Sequence, residues 1–337
     1  MTNPLHDLSV PVVQAPMAGG PSTPALAVAV AEAGGLGMLA AGYKSASAMA
    51  EEIREVAART DRFGVNLFVP ERDPSDPEQL EAYARALVPV AADLDVPAPQ
   101  PGPFTDDDYP AKLDHLVANP VPLVSFTFGL PGAADVARLR EAGSVVVLNA
   151  TDAREVEAAV ELAPDAIVVQ GREAGGHRAT HGQATTPEDI STAELLDQAR
   201  ELSEIPLIAA GGIASREDAA DLLGRGAVAV QVGTLFLTAR EAGTKPAHRE
   251  ALLNGGGRDT VVTRAFSGRW ARALRNGFTD RLGSAQVSGY PQVHYMTAPL
   301  RAASANDAEG LNLWAGTDFG ACRDTSAAEV VALFRGL

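Results

Sequence analysis

The stretch Ala166-Ile167-Val168-Val169-Gln170-Gly171-Arg172-Glu173-Ala174-Gly175-Gly176-His177 decides how the chain is read. Its first four residues are apolar without alternation, the pattern of a strand buried on both faces. Gln170 closes the strand, and the chain opens into a glycine-rich loop that ends in a histidine. Adjacent Gly175 and Gly176 permit positive φ and close approach of the backbone to a ligand. Imidazole is the side chain whose ordinary pKa lies near neutrality. Such a loop is either a turn carrying a surface histidine or a working site, and its surroundings decide between them.

Outward from this stretch, strands and helices alternate. Before it the pattern predicts strand 122–128, helix 133–142, strand 145–150 and helix 152–162; after it, helix 188–202, strand 206–210, helix 215–224 and strand 227–232. Nearer the start come strand 11–15, helix 24–33 capped by Ser22 or Thr23, strand 36–41, a helix from Ser45 or Ser47 to about Arg59, and strand 62–69. Eight strands alternating with helices predict an α/β fold, the (β/α)8 TIM barrel. A doubly wound sheet normally carries a glycine fingerprint after its first strand, where this chain has Gln14-Ala15-Pro16-Met17. Gly34-Gly35-Leu36-Gly37 follows a helix and precedes a strand, the reverse of the phosphate-binding order, so it reads as a helix C-cap and turn.

The barrel is therefore expected over 1–237, with a proline-rich insertion at about 70–120 after the third strand. Within the insertion, 78–92 reads as helical, and Asp106-Asp107-Asp108 reads as the solvated start of a further helix, where acidic groups offset the helix dipole. Residues 238–337 are read as an extension packing over the barrel mouth on the substrate side. It has a helix through 248–253, a loop-rich excursion over 254–299 and short helices that include 327–334.

Composition excludes several function classes. Lys and Arg number 27 against 43 Asp and Glu, and the net charge of −16 opposes the basic footprint of a nucleic-acid binder. No apolar run is long enough to cross a bilayer. Residues 1–13 lack a basic n-region and a long apolar h-region, so a cytoplasmic protein is expected. The single cysteine, Cys322, excludes an intramolecular disulfide and a thiolate metal site. His177 and His181 are four apart, but in a glycine-rich loop rather than a helix, and no metal is expected. His6, His115, His248 and His294 read as surface or core histidines, as do Tyr290, Tyr295 and Trp314 among the aromatics, although the segment around His294 lies within reach of the mouth.

In a barrel of this kind the site lies at the C-terminal strand ends, and the loops after strands seven and eight commonly hold a phosphate. Here those loops are Ala210-Gly211-Gly212-Ile213 and Gln231-Val232-Gly233-Thr234, whose amides and hydroxyl suit a phosphate dianion. They have neither a P-loop lysine nor Walker spacing, which favours a monophosphate over a nucleoside triphosphate. Asn66, flanked by apolar residues in Phe63-Gly64-Val65-Asn66-Leu67-Phe68, must find hydrogen-bond partners, from the protein or from a ligand at the strand end.

Taken together, the segments Gln14 to Gly20, Phe63 to Leu67, Gln170-Gly171 with Glu173 to Arg178, Ala210 to Ile213 and Gln231 to Thr234 resemble the signature set of the nitronate monooxygenase family, formerly called 2-nitropropane dioxygenases, and most closely its class I branch. The resemblance also takes in Val124 to Gly129, Thr263 to Arg269 and Leu311 to Gly316, and so spans nearly the whole chain. It departs at Ala179, where glycine is expected. The resemblance implies FMN as cofactor, with Asn66 and Gln170 bonding the ring system, Gly175 and Gly176 giving it clearance, and Gln14, Ala15, Pro16 and Met17 packing beneath it. Gly211, Gly212, Gln231, Val232, Gly233 and Thr234 would surround the phosphate end. His177 would face the substrate, as general base for a neutral nitroalkane or, when protonated, as a clamp on nitronate oxygens. The implied reaction passes electrons from an alkyl nitronate such as propionate 3-nitronate to FMN and on to O2, leaving a carbonyl compound and nitrite. The alternative is an FMN-dependent reductase of quinones or enoyl thioesters driven by NADH. The oligomeric state is left open.

Overall fold

The computed structural model describes residues 3–6, 8–71, 75–255 and 257–337; the start of the expected barrel unit at 1–2 and the part of the expected insertion at 72–74 lie outside these. Eight parallel strands form one sheet: Val12–Gln14, Gly37–Ala40, Phe63–Phe68, Leu123–Thr127, Val145–Ala150, Ala166–Gln170, Leu207–Ala210 and Ala229–Val232. Each pairs with its neighbours in chain order, and the first pairs in parallel with the eighth, Val13 opposite Gln231. The sheet closes between first and second strands through a parallel bridge from Val13 to Leu36, carried by N–H donation from Gln14 to the Leu36 carbonyl and from Leu36 to the Val12 carbonyl, both 2.9 Å. The expected (β/α)8 barrel is what the chain forms.

Strand alternation sorts the apolar residues into two layers. Val13, Met38, Leu123, Val147, Val168, Ile208 and Ala229 fill the barrel interior with Leu5, while Val12, Leu39, Val65, Val124, Leu148, Ile167, Val169 and Val230 face the surrounding helices. Short side-chain caps start the helices: Thr23 accepts from Leu26 N–H, Ser45 from Ala48 N–H and Asp152 from Glu155 N–H. The helix expected from 188 begins at Thr192, because the capping box of Ser191 and Glu194 fixes its start.

Two expectations need correction. The excursion over 254–299 is far more regular than a loop. It holds strands Thr260–Thr263 and Ala271–Leu274, helix Gly277–Leu282 and the start of helix Gln292–Ala303. The two strands pair antiparallel, and the second also pairs with Gly176–His177, so the loop that opens the chain's reading is the edge of a three-stranded sheet. Segments this short gain their order from partners distant in sequence, and Pro299 inside the helix reads as a breaker. The insertion and the extension also share a core: Leu80, Tyr83 and Leu87 of helix Pro77–Asp93 cluster with Phe266, Phe278, Val293, Met296 and Leu300. No described helix is long and apolar enough to cross a membrane.

The second correction concerns the acidic run. Asp108, at the N-cap of helix Tyr109–Ala118, makes no side-chain cap bond. Asp107 turns inward instead, with positive φ, and its carboxylate accepts from the Tyr43 N–H (2.9 Å) and from Lys112 Nζ (2.7 Å). The Lys112 side chain is 1% exposed, and Tyr43 is itself held at a φ of 67°. Burial raises the Asp107 pKa, and Lys112 opposes that rise. Replacing Lys112 with Ala leaves an uncompensated buried carboxylate, so unfolding free energy should drop by about 3–5 kcal/mol in chemical denaturation. A loss below about 1 kcal/mol would show that the pair does not brace this region.

Candidate functional site

The C-terminal strand ends open into a cavity of about 250 Å³, walled on one side by barrel loops and on the other by residues of the extension, among them Lys245, His248, Ser267, His294, Arg301 and Trp314. Of the residues singled out in the sequence, Ala15, Pro16, Met17, Asn66, Gln170, Gly175, Gly176, His177, Gly211, Gly212, Gln231, Val232, Gly233 and Thr234 all line it. Gln14 does not. It is fully buried, its Nε2 donates to Ser22 Oγ (2.9 Å) and to the Ala15 carbonyl, and its Oε1 accepts from Met38 N–H (2.9 Å). Its amide thus joins the first two strands to the Met17–Ser22 turn rather than facing a ligand.

Several lining residues are committed to the protein in ways that sequence alone does not reveal. Gln170 Oε1 accepts from Ala179 N–H (2.9 Å) and its Nε2 donates to the His177 carbonyl (3.2 Å), so it fixes the His177 segment. Asn66 Nδ2 donates to Ser125 Oγ and Thr127 Oγ1 on the adjacent strand, each 2.9 Å, while its Oδ1 takes no protein partner among the described residues. A Cβ on Gly175 would lie 2.3 Å from the Gly316 nitrogen, so glycine is needed there for packing of two backbones.

On the loops after the seventh and eighth strands, Gly211 and Gly212 have φ of 115° and 69°, and their N–H groups and that of Gly233 find no protein acceptor among the described residues. A Cβ on Gly233 would meet only Ala15 Cβ, at an ordinary 3.4 Å, so the protein does not itself require glycine here; the absent side chain leaves cavity space. Thr234 Oγ1 accepts from Gly316 N–H at 3.0 Å and keeps its own proton to donate. These groups make a concave array of donors.

His177 lines the cavity from the loop after the sixth strand. Its Nε2 lies 2.8 Å from Ser267 Oγ, and its ring is packed by Phe128 edge-on (centroids 5.3 Å, 86°) and by Trp314 (5.2 Å). Phe128 has a strained φ of 75°, stabilised by Arg269, whose guanidinium lies 4.3 Å over the ring and donates to the Phe128 carbonyl (3.3 Å) and the Thr180 carbonyl (2.8 Å). Burial, then Arg269 and Arg301, lower the His177 pKa to about 3, so its imidazole is neutral at physiological pH. His181 is used differently: its Nε2 donates to the Asn149 carbonyl (2.7 Å), tying the loop to the fifth strand.

The opposite wall includes His294, whose segment was expected within reach of the mouth, but Tyr43, Lys245 and Arg301 were not singled out in the sequence. Tyr43 and His294 stack in parallel at 3.9 Å, and Arg301 Nη2 donates to the His294 carbonyl (2.8 Å) while its Nε donates to Thr297 Oγ1 (3.2 Å). Neither Arg301 nor Lys245 has a carboxylate partner among the described residues, and both line the cavity. Two cations without counter-ions beside an enclosed space favour an anion there. The seven-residue spacing of His294 and Arg301 places them on one helix face, a signal legible once the helix is recognised.

His248, 7% exposed, donates from Nε2 to the Trp314 carbonyl (2.9 Å), and burial lowers its pKa to about 4. Between about pH 6.5 and 4 the unfolded chain binds a proton that the folded chain refuses, so stability falls on acidification by up to about 1.4 kcal/mol per pH unit from this group. Urea denaturation at pH 7 and pH 5 should therefore show a shallower pH dependence for His248→Gln than for the parent; equal slopes would contradict the burial effect.

Comparison with known proteins agrees with this geometry. The family model described as nitronate monooxygenase matches residues 2–334. A probable nitronate monooxygenase of Staphylococcus aureus (strain JH9) is 35% identical over 318 residues, covering 92% of this chain and 88% of that protein. The solved structure of a nitroalkane oxidase from Streptomyces ansochromogenes superposes with a TM-score of 0.94 at 43% identity, over 98% of this chain and 96% of the other. FabK from Thermotoga maritima is more distant, with a TM-score of 0.74 at 26% identity over 98% and 93% of the two chains. The chain therefore belongs to the nitronate monooxygenase family of oxidoreductases.

Proposed function

We propose that this chain oxidises alkyl nitronates, propionate 3-nitronate among them, with FMN as cofactor and O2 as oxidant, releasing a carbonyl compound and nitrite. The observation that carries the reading is the lining of one cavity, which combines unengaged backbone donors of the glycine loops with a neutral histidine and two cations that have no carboxylate partner among the described residues. The donor array of Gly211, Gly212, Gly233 and Thr234 suits a phosphate monoester, and the space beside Gly233 suits a group that a side chain would displace. The side-chain amide of Gln231, with no hydrogen-bond partner among the described residues, and the Oδ1 of Asn66 are free to bond a heterocycle, with Ala15, Pro16 and Met17 as its apolar support. FMN bound there supplies the redox chemistry. The chain's part is to bind, orient and neutralise.

Within that division of labour the charge pattern favours nitronate over neutral nitroalkane. An imidazole with a pKa of about 3 is a weak base for carbon acids and is not available as a cation. An anion, by contrast, meets Arg301 and Lys245 without displacing any carboxylate. Support thus falls on His177 as a neutral hydrogen-bonding group and on the two cations as the attraction for substrate charge.

Nitrite release from propionate 3-nitronate by flavin-replete protein is the expected outcome; steady NADH consumption with a quinone or enoyl thioester, and no nitrite, would overturn the proposal in favour of a reductase. Gly233→Val should leave the fold intact yet lower FMN retention at least tenfold in equilibrium dialysis, and undiminished retention would refute the phosphate-end assignment. Arg301→Ala should raise KM for the nitronate by about tenfold or more, the size expected for a charge-assisted hydrogen bond; an unchanged KM would remove Arg301 from substrate binding.

A further inference from the structure

We propose that Arg269 is a positioning residue of this site: its buried guanidinium binds the loops after the third, fourth and sixth strands into one wall, and Phe128 in that wall sets the seat of the His177 ring. The proposal deepens the nitronate reading above and rests on it for the reaction concerned.

Arg269 does not line the cavity, whereas Phe128 and His177 both do. Its side chain is 2% exposed and packs over the Phe128 ring, with the Tyr290 ring centroid 5.7 Å away. Nη1 donates to the Thr180 carbonyl at 2.8 Å, and Nη2 to the Phe128 carbonyl at 3.3 Å and to Glu71 Oε2 at 3.2 Å. Glu71 follows the third strand, Phe128 the fourth, and Thr180 belongs to the loop that begins after the sixth. The same Glu71 oxygen also accepts the Gln183 N–H at 2.9 Å, which ties the His177 loop to this cluster a second time. Three segments that are neighbours only around the barrel rim thus meet on one cation. A planar guanidinium fixes the directions of its bonds together, which the point charge of a lysine on its flexible stem does not.

Phe128 is the member that needs holding. A bulky residue at a φ of 75° stays there only while its surroundings impose it. The Arg269 bond takes its carbonyl, and Phe68 and Tyr290 pack its ring at centroid distances of 4.6 and 5.2 Å. Held so, the ring meets the imidazole of His177 edge-on. Without the fork the backbone at Phe128 is released to negative φ and the ring leaves the imidazole. His177 keeps its backbone pairing with Ala271 but loses one side of its ring packing. Arg269 therefore acts on the site through Phe128, not by touching the substrate.

The charge and the fork can be separated. Burial first, and then the Arg269 charge, hold the His177 pKa down, and lysine preserves both. Proton–carbon NMR of the flavin-replete protein labelled at histidine, with the His177 signals assigned by their loss in His177→Gln, reads the seat of the ring without turnover. Arg269→Lys should move those signals as Phe128→Ala does. It should also lower kcat per bound flavin for propionate 3-nitronate about ten- to hundredfold, the size that misplacement by about an ångström brings, with KM and FMN retention close to those of the parent. The double variant should lose little more than either single one, because both changes remove the same contact. Parent-like signals and kcat in Arg269→Lys would mean that the charge alone matters, and losses that multiply in the double variant would mean that Arg269 does not act through Phe128; either overturns the proposal. Arg269→Gln, which leaves the part-exposed Glu71 to solvent, carries the same expectations where the lysine variant does not fold. Absence of nitrite from the parent protein would refute the nitronate reading, while the His177 signals of the variants would still decide the role of Arg269.

Discussion

Everything at the mouth of this molecule depends on a seam three residues long. Val12–Gln14 must pair with the eighth strand on one side and the second on the other, and only then do eight loops converge on one cavity. Two backbone bonds cross the second-strand junction at Leu36. Gln14 adds a third with its side chain, accepting from Met38 N–H while holding Ser22, and so extends the ladder past the point where the strand ends. An amide buried in a barrel wall is costly unless all its groups are engaged, and here they are. The seam also sets the course of Ala15 to Met17, which lines the cavity floor.

Closure brings the loops together; the extension gives them their chemistry. Strand Ala271–Leu274 pairs with Gly176–His177 and turns a glycine loop into a fixed edge, while the preceding turn delivers Ser267 to the imidazole and Arg269 to the strained Phe128. Helix Gln292–Ala303, braced from behind by the insertion, carries His294 and Arg301 to the opposite wall. Insertion and extension are far apart in the chain yet share one core, and Asp107 reaches from the insertion to hold Tyr43 against His294. The cavity is thus enclosed by a second layer built from two segments that the barrel alone does not order. The same enclosure depresses the His177 pKa, because desolvation and two nearby guanidinium groups all oppose a further positive charge.

The barrel was legible in the sequence because its signal is local. Runs such as Ala166–Gln170 and Val145–Ala150 are continuous and apolar, and their boundaries are those expected. The glycines after the seventh and eighth strands were equally plain, since their open donors, and the positive φ of Gly211 and Gly212, follow from residue type and place. What was hidden is long-range. No local pattern says that Gln14 turns to Ser22 rather than to the cavity, or that Gly175 is needed for the approach of Gly316. Asp107 resembled a solvated helix start because its partner, Lys112, looks like a surface lysine until the fold buries it. Lys245 and Arg301 stand 56 positions apart, and their common feature, the lack of a counter-ion, exists only in three dimensions.

The central claim is that this cavity brings an anionic nitronate to a flavin whose phosphate end rests on the glycine loops. Anaerobic mixing of the flavin-replete protein with propionate 3-nitronate, followed through the visible flavin absorbance, tests it most directly. Rapid loss of that absorbance, restored when O2 is admitted, is the predicted result; a flavin that stays oxidised with nitronate but is bleached by NADH would contradict the account.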